Sequence, residues 1–153
     1  MKMARVWAMP TSDTFDCPPI GTLVKRFLGQ SKVSIDPFAR NKRWATYTND
    51  LNPKTAAEYH MDVYAFLQML LEKGIISDLL IFDPPYSPRQ VKECYDSVGL
   101  KMGLEGGQRT HGWTKEKDTG NELLEVGGHV LSFGWNSQGM GKGRGFVTEE
   151  ILL

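Results

Sequence analysis

The residues best suited to chemistry are Asp83-Pro84-Pro85-Tyr86. Two consecutive prolines fix two φ angles and remove two backbone donors. The segment is therefore stiff, and its carbonyls face outward without local N–H partners. One carboxylate, bare carbonyls and an aromatic ring on a rigid loop suit a flat ring that bears an amino group. Tyr86 would stack on that ring, while Asp83 and the Pro84 carbonyl accept its two N–H bonds. The bland alternative is a turn after a strand, yet by average usage this tetrapeptide arises by chance in roughly one chain in a thousand of this length. His60, His111 and His129 lie far apart without ligand spacing, so a metal site is not expected. Cys17 and Cys94 are too few for a disulfide framework, which suits a reducing compartment such as the cytoplasm.

The elements that must position this tetrapeptide can be read from pattern. Asp78 to Phe82 (DLLIF) is a continuous apolar run, as in a strand buried on both faces of a parallel sheet. Val33 to Ile35 and Trp44 to Thr48 read as further strands, and each stops at polar residues: Asp36 after the first, Asn49-Asp50 after the second. Leu23, Val24, Phe27 and Leu28 form one face of a helix that follows Pro18-Pro19 and closes at Gly29. Val63 to Lys73 is a helix capped by Asp62 and closed at Gly74. Pro88 to Val98 is another, and Asn121 to Val126 a short one. Residues 99–121 are Gly-rich and polar without a period, which marks a functional or mobile loop.

His129 to Trp135 and Gly145 to Leu153 read as two last strands. The Gly-rich link between them, Asn136 to Arg144, is too short for a crossover helix, so that pair is expected to be antiparallel. The stretch GMGKGRG is not a dinucleotide fingerprint, because its glycines alternate and no clear helix follows. Alternating strands and helices indicate an α/β fold with a mostly parallel sheet, whose ligands sit at the carboxyl ends of the strands. Asp36, Asp50 and Asp83 all fall there.

These residues resemble a family, the S-adenosylmethionine-dependent DNA adenine-N6 methyltransferases, in particular the small phage-type enzymes. Asp83 to Tyr86 matches the adenine-type catalytic motif in full. Ile35-Asp36-Pro37-Phe38 is similar to the first half of the family's Asp-Pro-Phe-x-Gly-x-Gly cofactor motif. Asn49 to Pro53 is similar to the acidic segment after its second strand, Asp62-Val63 to the residues near the cofactor's adenine, and Thr14 to Leu28 to the segment that contacts the methionine part. The order holds over about residues 14–153. The resemblance implies a Rossmann-like methyltransferase sheet with an antiparallel edge strand, a single domain over 1–153, and target recognition by the loop at about 99–121. It implies S-adenosylmethionine held by Pro19, Ile20, Asp36, Pro37, Phe38, Asp50, Asn52, Asp62 and Val63. It also implies direct methyl transfer to a flipped-out adenine in double-stranded DNA. One departure stands out: Ala39-Arg40-Asn41 replaces the glycine-bearing stretch, so the cofactor is contacted differently, bound weakly, or no longer bound.

The net charge is zero, which excludes a uniformly basic nucleic-acid coat. The zero is uneven, however. Residues 21–54 hold seven Lys or Arg against two Asp, and residues 55–86 one Lys against five acids. Phosphate contacts would fall to Arg40, Lys42 and Arg43, to Lys101, Arg109, Lys115 and Lys117 in the long loop, and to Lys142 and Arg144. No apolar stretch approaches membrane-spanning length. Two alternatives to the adenine enzyme remain: a methyltransferase of RNA or of cytosine N4, and a catalytically deficient nucleic-acid-binding subunit of the same fold. An unpaired last strand would also offer an edge to a second copy, a route to a homodimer.

Overall fold

A computed structural model describes residues 1–9, 11–101 and 112–153. Its centre is a four-stranded sheet in the order β3-β2-β4-β5, built from β2 (Ser34–Asp36), β3 (Tyr47–Thr48), β4 (Ser77–Phe82) and β5 (Leu124–Ser132). All three pairings are parallel. Around it, among the described residues, lie a 3-10 turn at Thr14–Asp16 and the helices α1 (Pro18–Leu28), α2 (Val63–Glu72), α3 (Pro88–Ser97) and α4 (Thr114–Leu123).

The β4 run explains the layering. Side chains alternate across a strand, so Leu80 and Phe82 face one way and Leu79 and Ile81 the other. Leu80 and Phe82 pack with Ile35, with Phe66, Leu67 and Leu70 of α2, and with Leu123 of α4. Leu79 and Ile81 pack with Val24 of α1, Phe15 and Leu131. Residues 79–82 are at most 2% exposed. Each such side chain contributes roughly 1.5–3 kcal/mol of burial, and only a strand covered on both faces can use four in succession.

Local signals set the helix ends. Pro18 and Pro19 open α1 where missing N–H groups cost nothing. Asp62 caps α2 by accepting the Tyr64 N–H at 3.0 Å. Ser87 and Gln90 form a reciprocal capping box at α3.

The expected antiparallel edge strand is absent among the described residues. Gly145 to Leu153 does not return along β5. Only Glu150–Leu152 is a strand, β6, and it pairs in parallel with β1 (Lys2–Ala4) as a separate two-stranded ribbon. The short Gly-rich link argued correctly against a crossover, but the pairing partner lay at the other end of the sequence. Arg26 of α1 pairs with Glu150 and holds the ribbon to that helix, while Lys2 pairs with the same carboxylate across the ribbon. The loop expected over 99–121 is also shorter than read: residues 114–121 lie in α4, and 102–111 fall outside the described residues. The short helix expected at Asn121 to Val126 is instead the end of α4 running directly into β5, which starts at Leu124 rather than at His129. No helix among the described residues is long and apolar enough to cross a membrane.

Candidate functional site

The strand order places a reversal between β2 and β4. The chain leaves β2 for β3 on one side, then crosses to β4 on the other. In open parallel sheets, that reversal opens a crevice at the carboxyl ends. Asp36 ends β2 and Asp83 directly follows β4, so the two carboxylates flank the crevice.

Asp36 is buried, 2% exposed, and its Oδ1 accepts the Phe38 N–H at 3.1 Å. Burial pushes its pKa well above the ordinary carboxylate range. The Phe38 bond opposes this, and the nearby charges of Asp83, Asp50 and Asp13 add to it. Asp83 is also raised, first by burial. Hydrogen bonds from the Tyr86 and Thr14 hydroxyls and the charge of Arg40 pull it back, while Asp13 pushes it up. The Tyr86 hydroxyl donates to Asp83 Oδ1 at 2.6 Å, and burial beside that carboxylate drives the phenol pKa strongly upward. Tyr86 is therefore a clamp on Asp83 as well as an aromatic surface.

Neighbouring groups immobilise the tetrapeptide. The Tyr86 N–H donates to Gln90 Oε1 at 2.8 Å, which ties the loop to the first turn of α3. The Pro85 carbonyl accepts from Trp113 Nε1 at 3.3 Å. Trp113 is buried and stands edge-on to Phe38 and Phe82, with centroids 5.3 and 6.4 Å away. Its φ of 58° is left-handed, an unusual backbone for a large side chain.

The glycine-poor turn after β2 keeps a glycine-like shape. Arg40 has φ 50°. Its N–H donates to Asp50 Oδ2 at 3.2 Å, while Asp50 Oδ1 accepts the Asn52 N–H at 2.8 Å. Fully buried Asn49 joins the two strand exits: its backbone carbonyl takes the Ala39 N–H, and its side chain bridges the Pro37 carbonyl and both backbone groups of Met61. Asn49 and Thr14 lie inside segments that the sequence singles out, but neither is expected there as a site residue in its own right. Asn49 was overshadowed by its acidic neighbour, and Thr14 lies in a turn whose tertiary contact has no local signature.

The remaining expected cofactor residues scatter in role. Pro19 and Ile20 lie in the first turn of α1. Phe38 packs on the core, Asn52 shapes its own turn by accepting the Lys54 N–H, Asp62 is a helix cap, and Val63 is core.

The expected phosphate-binding residues divide similarly. Arg43, Lys101 and Lys142 are exposed. Arg40 donates to the Ser12 carbonyl at 2.6 Å and Lys42 pairs with Asp16. Lys115 lies over the Tyr64 ring. Arg144 is an internal clamp that donates to Asp118 at 2.7 Å and to the Met140 carbonyl. Arg109 lies outside the described residues.

On the far side of the tetrapeptide, between the ends of β4 and β5, is an open pocket of about 170 Å³. Pro84, Tyr86, Trp113, Lys117, Phe133 and Gln138 are among its walls. A cavity of roughly 150 Å³ admits a benzene-sized ring, so this pocket has the capacity of one planar ring. Asp83 is not itself among the lining residues, but its chain neighbours Phe82 and Pro84 both are. No protein-family model, curated protein or solved structure matches this chain.

Proposed function

We propose that the protein transfers a methyl group from S-adenosylmethionine to the N6 amino group of adenine in double-stranded DNA, using a Rossmann-like methyltransferase sheet. One observation carries the reading. Asp36 and Asp83 leave adjacent parallel strands at the reversal of strand order, with a ring-sized pocket behind Pro84 and Tyr86.

The donor set fits the cofactor. The charges of Asp83, Asp50 and Asp13 raise the proton affinity of Asp36, and that of Asp13 raises the affinity of Asp83; a ligand bearing ammonium and sulfonium charges relieves that repulsion. Asp36 would take the cofactor's amino end. Asp50 would take the ribose hydroxyls, since each of its oxygens accepts one backbone N–H and keeps a lone pair. Asp62 would lie near the adenine edge, and Pro19 and Ile20 near the methionine part. The left-handed φ of Arg40 supports retained binding, because it keeps the backbone shape that a glycine would otherwise supply. When bound, S-adenosylmethionine supplies an electrophilic methyl group.

The chain's own contribution is positioning and electrostatics. Asp83 and the Pro84 carbonyl accept the two amino hydrogens and so turn the nitrogen lone pair outward. Tyr86 offers its ring to the base and its hydroxyl to Asp83. Both cysteines are free, and no covalent intermediate is required of them.

The test is transfer of labelled methyl from the cofactor to DNA amplified in vitro, followed by digestion to nucleosides. N6-methyladenine is expected. N4-methylcytosine, or label only on RNA, would replace the target assignment. Absence of both transfer and any rise in melting temperature at millimolar cofactor would overturn the enzyme reading. Asp83→Ala should abolish transfer and leave the cofactor-induced rise in melting temperature in place.

A further inference from the structure

Among the described residues, the pocket behind Asp83–Tyr86 is lined by one charged group, the Lys117 ammonium, and by no carboxylate. Lys117 lies in the first turns of α4, four residues after the Trp113 that fastens the Pro85 carbonyl. Its Nζ stands 6.0 Å from the centroid of Phe82, a ring 1% exposed at the very end of β4. The half-buried Lys117 thus brings its ammonium to the side of the pocket that Phe82 forms. Burial and the neighbouring Arg144 both lower its pKa. Arg144 itself is committed to Asp118 and the Met140 carbonyl and offers no second free cation.

A lone cation in a space for one planar ring differs from the usual phosphate contact, in which several exposed cations track a backbone. Any base whose exocyclic amino group is held by Asp83 and Pro84 carries a ring-nitrogen acceptor beside that group. We propose that Lys117 reads the target base, donating to an acceptor atom on its edge within this pocket, rather than binding a DNA phosphate. The assignment rests on the methyltransferase reading and adds the group that holds the ring itself. Asn136 and Gln138 also line the pocket and are placed to assist.

The experiment uses the full chain with in-vitro-amplified duplex DNA and labelled S-adenosylmethionine, comparing the parent, Lys117→Met and Lys117→Gln. Methionine keeps an unbranched stem against Phe82 and removes the donor, while glutamine retains one. For Lys117→Met, kcat/KM for DNA is expected to fall roughly 10- to 100-fold, the worth of one hydrogen bond from a charged donor. KM for the cofactor should stay within twofold of the parent, and Lys117→Gln should recover part of the loss. The slope of log kcat/KM against log salt should not change. A slope shallower by about one would identify a phosphate contact and overturn the assignment. Unchanged kcat/KM in Lys117→Met, or an equal loss of cofactor affinity, would also overturn it. Absence of transfer by the parent protein would instead overturn the methyltransferase reading, and the base-reading role with it.

Discussion

Replacing Asp36 by asparagine should stabilise the folded protein at neutral pH while weakening cofactor binding. The substitution preserves shape and keeps an oxygen to accept the Phe38 N–H now 3.1 Å from Oδ1. It removes the ionisation that burial and three nearby carboxylates oppose. An unfolded Asp titrates near pH 3.9, whereas folded Asp36 titrates well above that. Below the unfolded value both states hold the proton, and the two proteins should differ little. As pH rises past it, the unfolded chain releases its proton and the folded chain does not, so the parent loses stability. The loss stops once pH exceeds the folded pKa. The Asp36→Asn variant has no such window, and its advantage should grow through it and then stay constant. Each unit of elevation corresponds to about 1.4 kcal/mol, and about 1 kcal/mol moves the melting temperature of a domain this size by roughly 2–4 °C. Urea titrations at pH 4 and pH 7.5, with thermal scans alongside, measure the difference directly. A variant less stable than the parent at pH 7.5, or an equal gap at both pH values, would refute the reasoning.

Two further substitutions probe how the site is held. Tyr86→Phe keeps the ring but deletes the 2.6 Å bond to Asp83. That bond lowers the Asp83 pKa, so the acid limb of the pH–rate profile should move to higher pH, and kcat should fall roughly 10- to 100-fold for one hydrogen bond to a charged group. An unmoved limb would remove Tyr86 from this role. Gly21→Ala places a Cβ 2.5 Å from the Phe15 carbonyl oxygen, backbone that cannot step aside. The turn carrying Thr14 must shift, at a net cost of about 1–2 kcal/mol once the helix-propensity gain of alanine is subtracted. A stabilised variant in urea would contradict the close approach.

The parts legible in the sequence were those specified by local chemistry. The DLLIF run announced β4, prolines and Asp62 announced the starts of α1 and α2, and Asp36 and Asp83 declared themselves by following strands. The parts that were not legible depend on remote partners. Lys2–Ala4 carries no strand pattern and pairs only because Glu150–Leu152 lies beside it. The α4 sequence, TKEKDTGNEL, buries Glu116, Thr119, Gly120 and Leu123, a face too polar to show a helical period. Gly120 sits there because a Cβ would lie 2.7 Å from the Leu80 side chain. Arg144 and Lys42 read as free cations until Asp118 and Asp16 appeared beside them.

The β1–β6 ribbon joins residues at nearly opposite ends of the sequence, Lys2 to Glu150 and Ala4 to Leu152. Its contact order is close to the maximum that this chain allows, so its closure must wait until the central sheet has drawn the ends together. Once that has happened, the added loop-closure entropy is small, since each doubling of loop length costs only about 0.6 kcal/mol. The ribbon is therefore a late seal in folding and the first seam to part. Fraying there leaves β2, β4 and the Asp83–Tyr86 loop intact, so slow hydrogen exchange should persist at the site after the ribbon amides have exchanged.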